Sequence, residues 1–197
     1  MRNQSTLKFL TPAETAELFR NLDQDRRRLA TRNRAIIYLA KYCALRASEI
    51  GLIRLYDYDQ DKHTLFCQRL KGSRNNTLKI VDPRVYRVVD IYYAERRHMY
   101  VKSPYLFLSQ QNKPISRKTL HIIFQNYCNN TSIPMDKQHF HVLKHTRAME
   151  LINYMELMDV QWWLGHKNIA NTMIYLEYTA EAKAELFQKL ARYEGLG

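Results

Sequence analysis

The chain has 197 residues, 46% of them hydrophobic and 12% aromatic, a composition that can bury a real core and excludes an intrinsically disordered chain. Its 31 lysines and arginines against 19 acids leave a net charge of +12, which favours a polyanionic partner because cations displace condensed counterions from nucleic acid. No apolar run reaches the ~18 residues that span a bilayer, the segment Met1–Thr6 lacks an apolar signal core, and three widely spaced cysteines (Cys43, Cys67, Cys128) have no metal-type spacing.

These features set the first expectations: reduced, buried thiols, a cytoplasmic protein without a membrane segment, and no metal site. Charge alone fits a merely soluble basic protein as well as a nucleic-acid binder.

In chain order, residues 1–10 read as a short arm. Thr11-Pro-Ala-Glu14 is a helix start, with Thr11 as N-cap, Pro12 at the first helical position and Glu14 closing a capping box. That helix is expected to reach about Leu22. A second is expected from about Arg26 to Ala44, burying Leu29, Ile36, Ile37, Leu39, Ala40 and Cys43, and a short third from Ala47 or Ser48 to Leu52. The pattern then turns β-rich: 54–59, 63–70 and 76–81 are separated by polar turns and read as a small antiparallel sheet.

Pro83 opens a helix to about Tyr100, Tyr105–Leu108 reads as a short strand, and Ser116 caps a helix through Tyr127. From Phe140 the chain is helical to about Met155, then in a short piece stopped by Gly165, then over Ile169–Tyr175. Thr179 starts an amphipathic terminal helix, residues 180–193. The expected fold class is α+β, mostly α-helical, in one domain over 11–179 with a tail over 180–197.

Several polar residues sit where these elements meet. Arg46 follows an apolar helix; it either pairs with Glu49 or faces a ligand. Lys71 stands at the tip of a hairpin, which by itself is a solvated turn. His141 and Lys144 are three apart and share a helix face, with His145 next to them. His166 follows Gly165 and could simply cap the helix there. Tyr175 lies nine residues further on (175 − 166 = 9) and is one of 14 tyrosines, so its identity says little alone.

Together they form the set that exchange at a phosphodiester requires. The reaction needs a nucleophile, positive charge on the non-bridging oxygens and a proton for the leaving oxygen. A tyrosine can store the bond energy in a phosphate ester, so no metal, cofactor or ATP is needed.

The ordered blocks Ala-Leu-Arg46-Ala-Ser-Glu-Ile, Leu-Lys71-Gly, His141-Val-Leu-Lys144-His145-Thr and Leu-Gly-His166…Ile-Tyr175 resemble the tyrosine recombinase (phage integrase) family over about residues 9–193. The resemblance implies that family's catalytic-domain fold and a site-specific recombinase acting on double-stranded DNA through a 3′-phosphotyrosyl intermediate. Arg46 would clamp the phosphate, Lys71 protonate the leaving 5′ oxygen, His141 support proton transfer, His166 bond the scissile phosphate and Tyr175 attack it. It further implies a tetramer on DNA, with DNA-bending proteins as candidate accessory partners, in a nucleoid-associated setting. The terminal helix would dock in cis or on a neighbour.

Two departures stand out. The family usually has arginine at the position of Lys144, and lysine keeps the charge but loses the bidentate fork. Many members also carry a separate N-terminal domain; a catalytic-type segment starting near Met1 resembles the compact recombinases that invert fimbrial promoters. The alternatives are a catalytically weakened DNA-binding member of the same fold and a type IB topoisomerase. Further DNA contacts are expected from Arg69, Arg74 and Lys79 around the hairpin and from Arg117 and Lys118 at a helix start, where amide groups and cations converge. Tyr178 is the rival nucleophile, and one of Trp162 and Trp163 is expected in the core.

Overall fold

The computed structural model describes residues 7–70, 72–179, 188, 190–192 and 195. Lys71 and most of the expected terminal helix lie outside the described residues.

Helix α1 (Pro12–Gln24) begins as its sequence dictates: the Thr11 amide donates to Glu14 Oε2 at 2.7 Å and the Glu14 amide to Thr11 Oγ1 at 3.2 Å. Helix α2 spans Ala30–Tyr42, shorter than expected at its N-terminal end. The Asp25 carboxylate captures both the Arg27 amide (2.9 Å) and its guanidinium (2.9 and 3.0 Å), and this local turn outcompetes helix until Ala30. After α2 the chain reverses through Ala44, a non-glycine residue at φ 51°, and enters the short α3 (Ala47–Ile50).

The β region is a three-stranded antiparallel sheet in the order β1 (Tyr58–Asp59), β2 (Thr64–Cys67) and β3 (Asn76–Lys79). Its register pairs Leu65 with Leu78 and Cys67 with Asn76, so Leu65, Cys67 and Leu78 face inward together. Strand β1 is shorter than expected because the Asp57 carboxylate accepts the Arg54 amide (2.7 Å) and folds Leu55–Asp57 into a 3₁₀ turn.

Helix α4 (Pro83–Arg97) is capped by Asp82 and ends before Tyr100. The strand expected over Tyr105–Leu108 is reduced to two isolated bridges, Arg54 to Tyr105 and Leu108 to Pro114. The buried Arg96 takes up nearby carbonyls, donating to Ser103 O (2.7 Å) and Tyr105 O (3.2 Å). Helix α5 (Arg117–Cys128) starts at Ser116, whose hydroxyl accepts the Thr119 amide.

Helices α6 (Val142–Leu151), α7 (Leu157–Leu164) and α8 (Ala170–Met173) follow, then a 3₁₀ turn over Leu176–Tyr178. The helix expected over 140–155 is thus confined to 142–151, and that over 169–175 to a single turn. All three cysteines are buried and unpaired.

The main core lies between α1, α2, α4, α5 and the sheet. A second, smaller apolar cluster joins Ala44, Ala148, Leu151, Val160, Leu164 and Tyr175. This second cluster positions the site, because it fixes the ends of α6, α7 and α8 against the turn after α2. Among the described residues no helix is long and apolar enough to cross a membrane.

Candidate active site

Arg46 is held by the first turn of α3. Its amide donates to Glu49 Oε2 and its Nη1 to Glu49 Oε1, both at 2.8 Å, and Nη1 also reaches Ser73 Oγ at 3.4 Å. The ion pair and the ligand-facing role therefore coexist: Glu49 fixes the guanidinium while Arg46 lines an open cleft.

Glu49 is buried and also accepts the Leu70 amide at 3.2 Å. Burial pushes its pKa upward, but the Arg46 amide and the charges of Lys144 and Arg69 outweigh burial and hold it below the ordinary value.

Arg69, expected at the DNA, is instead interior. Its side chain is fully buried and donates to the carbonyls of Cys43 (3.0 Å), Ala44 (3.1 Å) and Trp163 (2.9 Å) and to Asn76 Oδ1 (3.1 Å). A planar fork of five donors suits this position, because it satisfies carbonyls left open at the ends of α2 and α7. Arg74, Lys79, Arg117 and Lys118 are exposed.

Three side chains of the site come from helix α6 and the residue that precedes it. His141 is exposed at its start. Lys144 is 1% exposed and donates through Nζ to Leu164 O at 3.0 Å. Burial, reinforced by Arg69 and Arg46, pushes its pKa down to about 7. His145, with its ring edge-on to His141 (centroids 4.4 Å apart), meets Tyr175, its Nδ1 lying 2.9 Å from the phenolic oxygen.

Gly165 ends α7 at φ 69°, a conformation that costs an L residue energy. A Cβ there would also stand 2.7 Å from the Arg74 carbonyl, while Gly165 O accepts the Arg74 amide at 2.8 Å. The helix stop thus stitches α7 to the chain leading into β3 and turns it toward His166. The His166 amide donates to Gln161 O, its Nδ1 lies 3.0 Å from Thr172 Oγ1, and the residue is buried. Burial, then Lys144, Arg46 and Arg69, push its pKa down to about 3, so its ring is neutral at neutral pH.

Tyr175 is 1% exposed, packed in the second apolar cluster. Burial raises its pKa, and the charge of Arg46 opposes that rise. Tyr178 is set apart from this arrangement: its hydroxyl accepts the Leu7 amide at 3.0 Å and its ring meets Phe9 edge-on. Trp163 is the partly buried tryptophan, donating to Tyr42 O at 3.0 Å, while Trp162 is exposed.

Arg46, Lys144, His166 and Tyr175 thus come from four segments into one electrostatic neighbourhood. Beside it opens a cleft of about 950 Å³ lined by Arg46, Ser48, Arg117, Lys118, His121, His139 and His141. Sequence reasoning gave Glu49 only an ion pair with Arg46 and assigned no role to His145 or Thr172. The i, i+3 spacing of Arg46 and Glu49 was the signal for the first; the adjacency of His145 to Lys144 was the signal for the second.

The helical body and the small sheet have the fold of a tyrosine recombinase catalytic domain. The model described as the phage integrase family matches residues 8–182, and the chain belongs to that family. It is 27% identical over 179 residues to the type 1 fimbriae regulatory protein FimB of Escherichia coli K12, covering 89% of this chain and 88% of FimB. It is 29% identical over 169 residues to the tyrosine recombinase XerC of Caldanaerobacter subterraneus subsp. tengcongensis. That match covers 85% of this chain and 46% of XerC, so the chain spans about half of that relative.

The fold is also that of the XerH site-specific recombinase in a post-cleavage complex with its palindromic difH substrate. There the TM-score is 0.76 at 21% identity, over 98% of this chain and 56% of that one. The catalytic domain of bacteriophage HP1 integrase gives a TM-score of 0.61 at 18% identity, over 92% of this chain and 94% of that one.

Proposed function

We propose that the protein is a site-specific DNA recombinase that cleaves and rejoins duplex DNA through a 3′-phosphotyrosyl intermediate. The observation that carries this reading is the convergence of the site: Glu49 orients Arg46, Lys144 donates to Leu164 O two residues ahead of His166, and Tyr175 meets His145, which lies on the same helix as Lys144.

In this mechanism Arg46, oriented by Glu49, donates its fork to the non-bridging oxygens, and Lys144 adds a second positive charge. His166, kept neutral, donates a hydrogen bond to the phosphate, and Lys71 supplies the proton to the leaving 5′ oxygen. Tyr175 attacks phosphorus. The +12 chain and the cationic cleft support double-stranded DNA as partner, with Arg74, Lys79, Arg117 and Lys118 on its backbone. Assembly as a tetramer on two sites, with integration, excision or inversion as the outcome and DNA-bending proteins as accessory partners, completes the reading.

One observation favours a slower variant of the same enzyme: the Lys144 ammonium is already tied to Leu164 O and has no fork to offer a phosphate.

The test is covalent trapping on a nicked suicide duplex built from a junction mapped in cells that express the protein. An adduct lost in Tyr175→Phe and kept in Tyr178→Phe is the expected result. No adduct on that duplex would leave a DNA-binding protein without catalysis.

A further inference from the structure

We infer that His145 takes the phenolic proton of Tyr175 during strand cleavage, a catalytic role that rests on Tyr175 being the nucleophile. Among the described residues, His145 is the one group hydrogen-bonded to the Tyr175 hydroxyl, with Nδ1 at 2.9 Å. The other imidazoles of the site are placed for different work. His166 Nδ1 is engaged by Thr172, and His141 faces the open cleft. Lys144 is tied to Leu164 O.

The surroundings fix the direction of the hydrogen bond. Tyr175 is buried and stays protonated at rest, so its O–H needs an acceptor. Burial, with the neighbouring His141, Lys144, His139 and His166 adding to it, pushes the pKa of His145 down to about 3, so the ring is neutral and its Nδ1 lone pair is free. The hydroxyl donates and Nδ1 accepts, which places the ring's one N–H proton on Nε2.

Lys144 contributes to that lowering of the His145 pKa, and the negative charge of a phosphodiester seated beside it opposes the effect, so the basicity of His145 rises as substrate binds. Proton acceptance is thereby coupled to occupancy of the site. As the phenolic oxygen bonds to phosphorus, the O–H bonding pair stays on oxygen and the proton passes to Nδ1. The P–O5′ bond breaks with its electrons on O5′, which is protonated by the general acid. Rejoining runs the same steps backward, and His145 returns the proton to the departing phenol.

The experiment compares single-turnover cleavage by the parent chain, His145→Gln and His145→Asn on the nicked duplex described above, with 3-fluorotyrosine or tyrosine at position 175. Glutamine and asparagine can accept a hydrogen bond but cannot become protonated. General-base loss predicts a fall of about a hundredfold or more, with DNA affinity and thermal melting retained. The more acidic fluorophenol should recover a larger share of the rate in the amide variants than it adds to the parent. Cleavage by either folded amide variant at the parental rate, or an equal fluorotyrosine effect in both backgrounds, overturns the assignment to His145. An adduct that survives in Tyr175→Phe overturns the nucleophile assignment itself, and the role of His145 with it.

Discussion

The Lys144 ammonium donates to the carbonyl of Leu164 at 3.0 Å, two residues ahead of His166, so one side chain joins α6 to the loop that carries a proposed phosphate ligand. Its burial between Arg69 and Arg46 brings its pKa down to about 7, far below that of a free lysine. The clamp charge is therefore complete only below pH 7 and is lost as pH rises through that value. Cleavage by the parent chain should decline above about pH 7, and Lys144→Arg should remove this decline because arginine keeps its proton. Pre-steady-state rates from pH 6 to 9 check it; an identical decline in both proteins would assign the limb elsewhere. Removing the charge in Lys144→Met should cost about a hundredfold or more in rate.

Glu49 provides a second pH signature, in stability rather than rate. Its carboxylate accepts two hydrogen bonds from Arg46 and one from the Leu70 amide, and its pKa lies below the ordinary 4.5. A depressed carboxylate stabilises the fold fully above its unfolded value and loses that stabilisation as pH falls through the folded one. Glu49→Gln should therefore be less stable by about 3 kcal/mol at neutral pH, since it leaves Arg46 and Arg69 without their counter-charge. Its stability should also fall less steeply below pH 4.5 than the parent's. Urea denaturation at pH 7 and pH 4 measures both.

Much of this architecture is readable from local chemistry. The Thr11–Glu14 capping box, Asp82-Pro83 and Ser116 each announce a helix, and Gly165 announces a stop, because these signals act within one turn of chain. What local signals miss is competition and burial. Asp25 could not be seen to take the first turn from α2. Arg69 stands beside exposed cations in sequence yet lies in the interior, because its partners, the carbonyls of Cys43, Ala44 and Trp163, are distant along the chain. The same holds for the His145–Tyr175 contact, whose members are 30 residues apart.

That difference in burial separates two neighbouring arginines in solution. Arg69→Ala should lower the melting temperature sharply, since it strands three carbonyls and the Glu49 charge in the interior. Arg74→Ala, Arg117→Ala and Lys118→Ala should leave melting nearly unchanged. Each should weaken DNA binding and reduce the slope of log affinity against log salt by about 1. Fluorescence anisotropy with labelled duplex at several salt concentrations, beside thermal melts, checks both halves. A normal melt for Arg69→Ala would return that side chain to the DNA surface.

Gly165→Ala tests the hinge on which His166 turns. The φ of 69° alone costs an alanine about 1 kcal/mol. The new methyl would also meet the Arg74 carbonyl at 2.7 Å and the Arg69 side chain at 3.0 Å. The carbonyl is held in place by its own backbone, and Arg69 is pinned by its buried acceptors, so neither side can yield cheaply. The loop must move instead, carrying His166 away from Thr172 and straining the Lys144–Leu164 tie. Thermal stability should drop by about 2 kcal/mol or more, and cleavage should fall further than stability at 25 °C would account for. Gly72, also at positive φ but with open space where a Cβ would go, provides the control. Gly72→Ala should cost only the backbone preference and should spare the geometry at His166. If the two substitutions prove equally mild in melting and in cleavage, the contact between the α7 stop and the chain leading into β3 does not constrain the site.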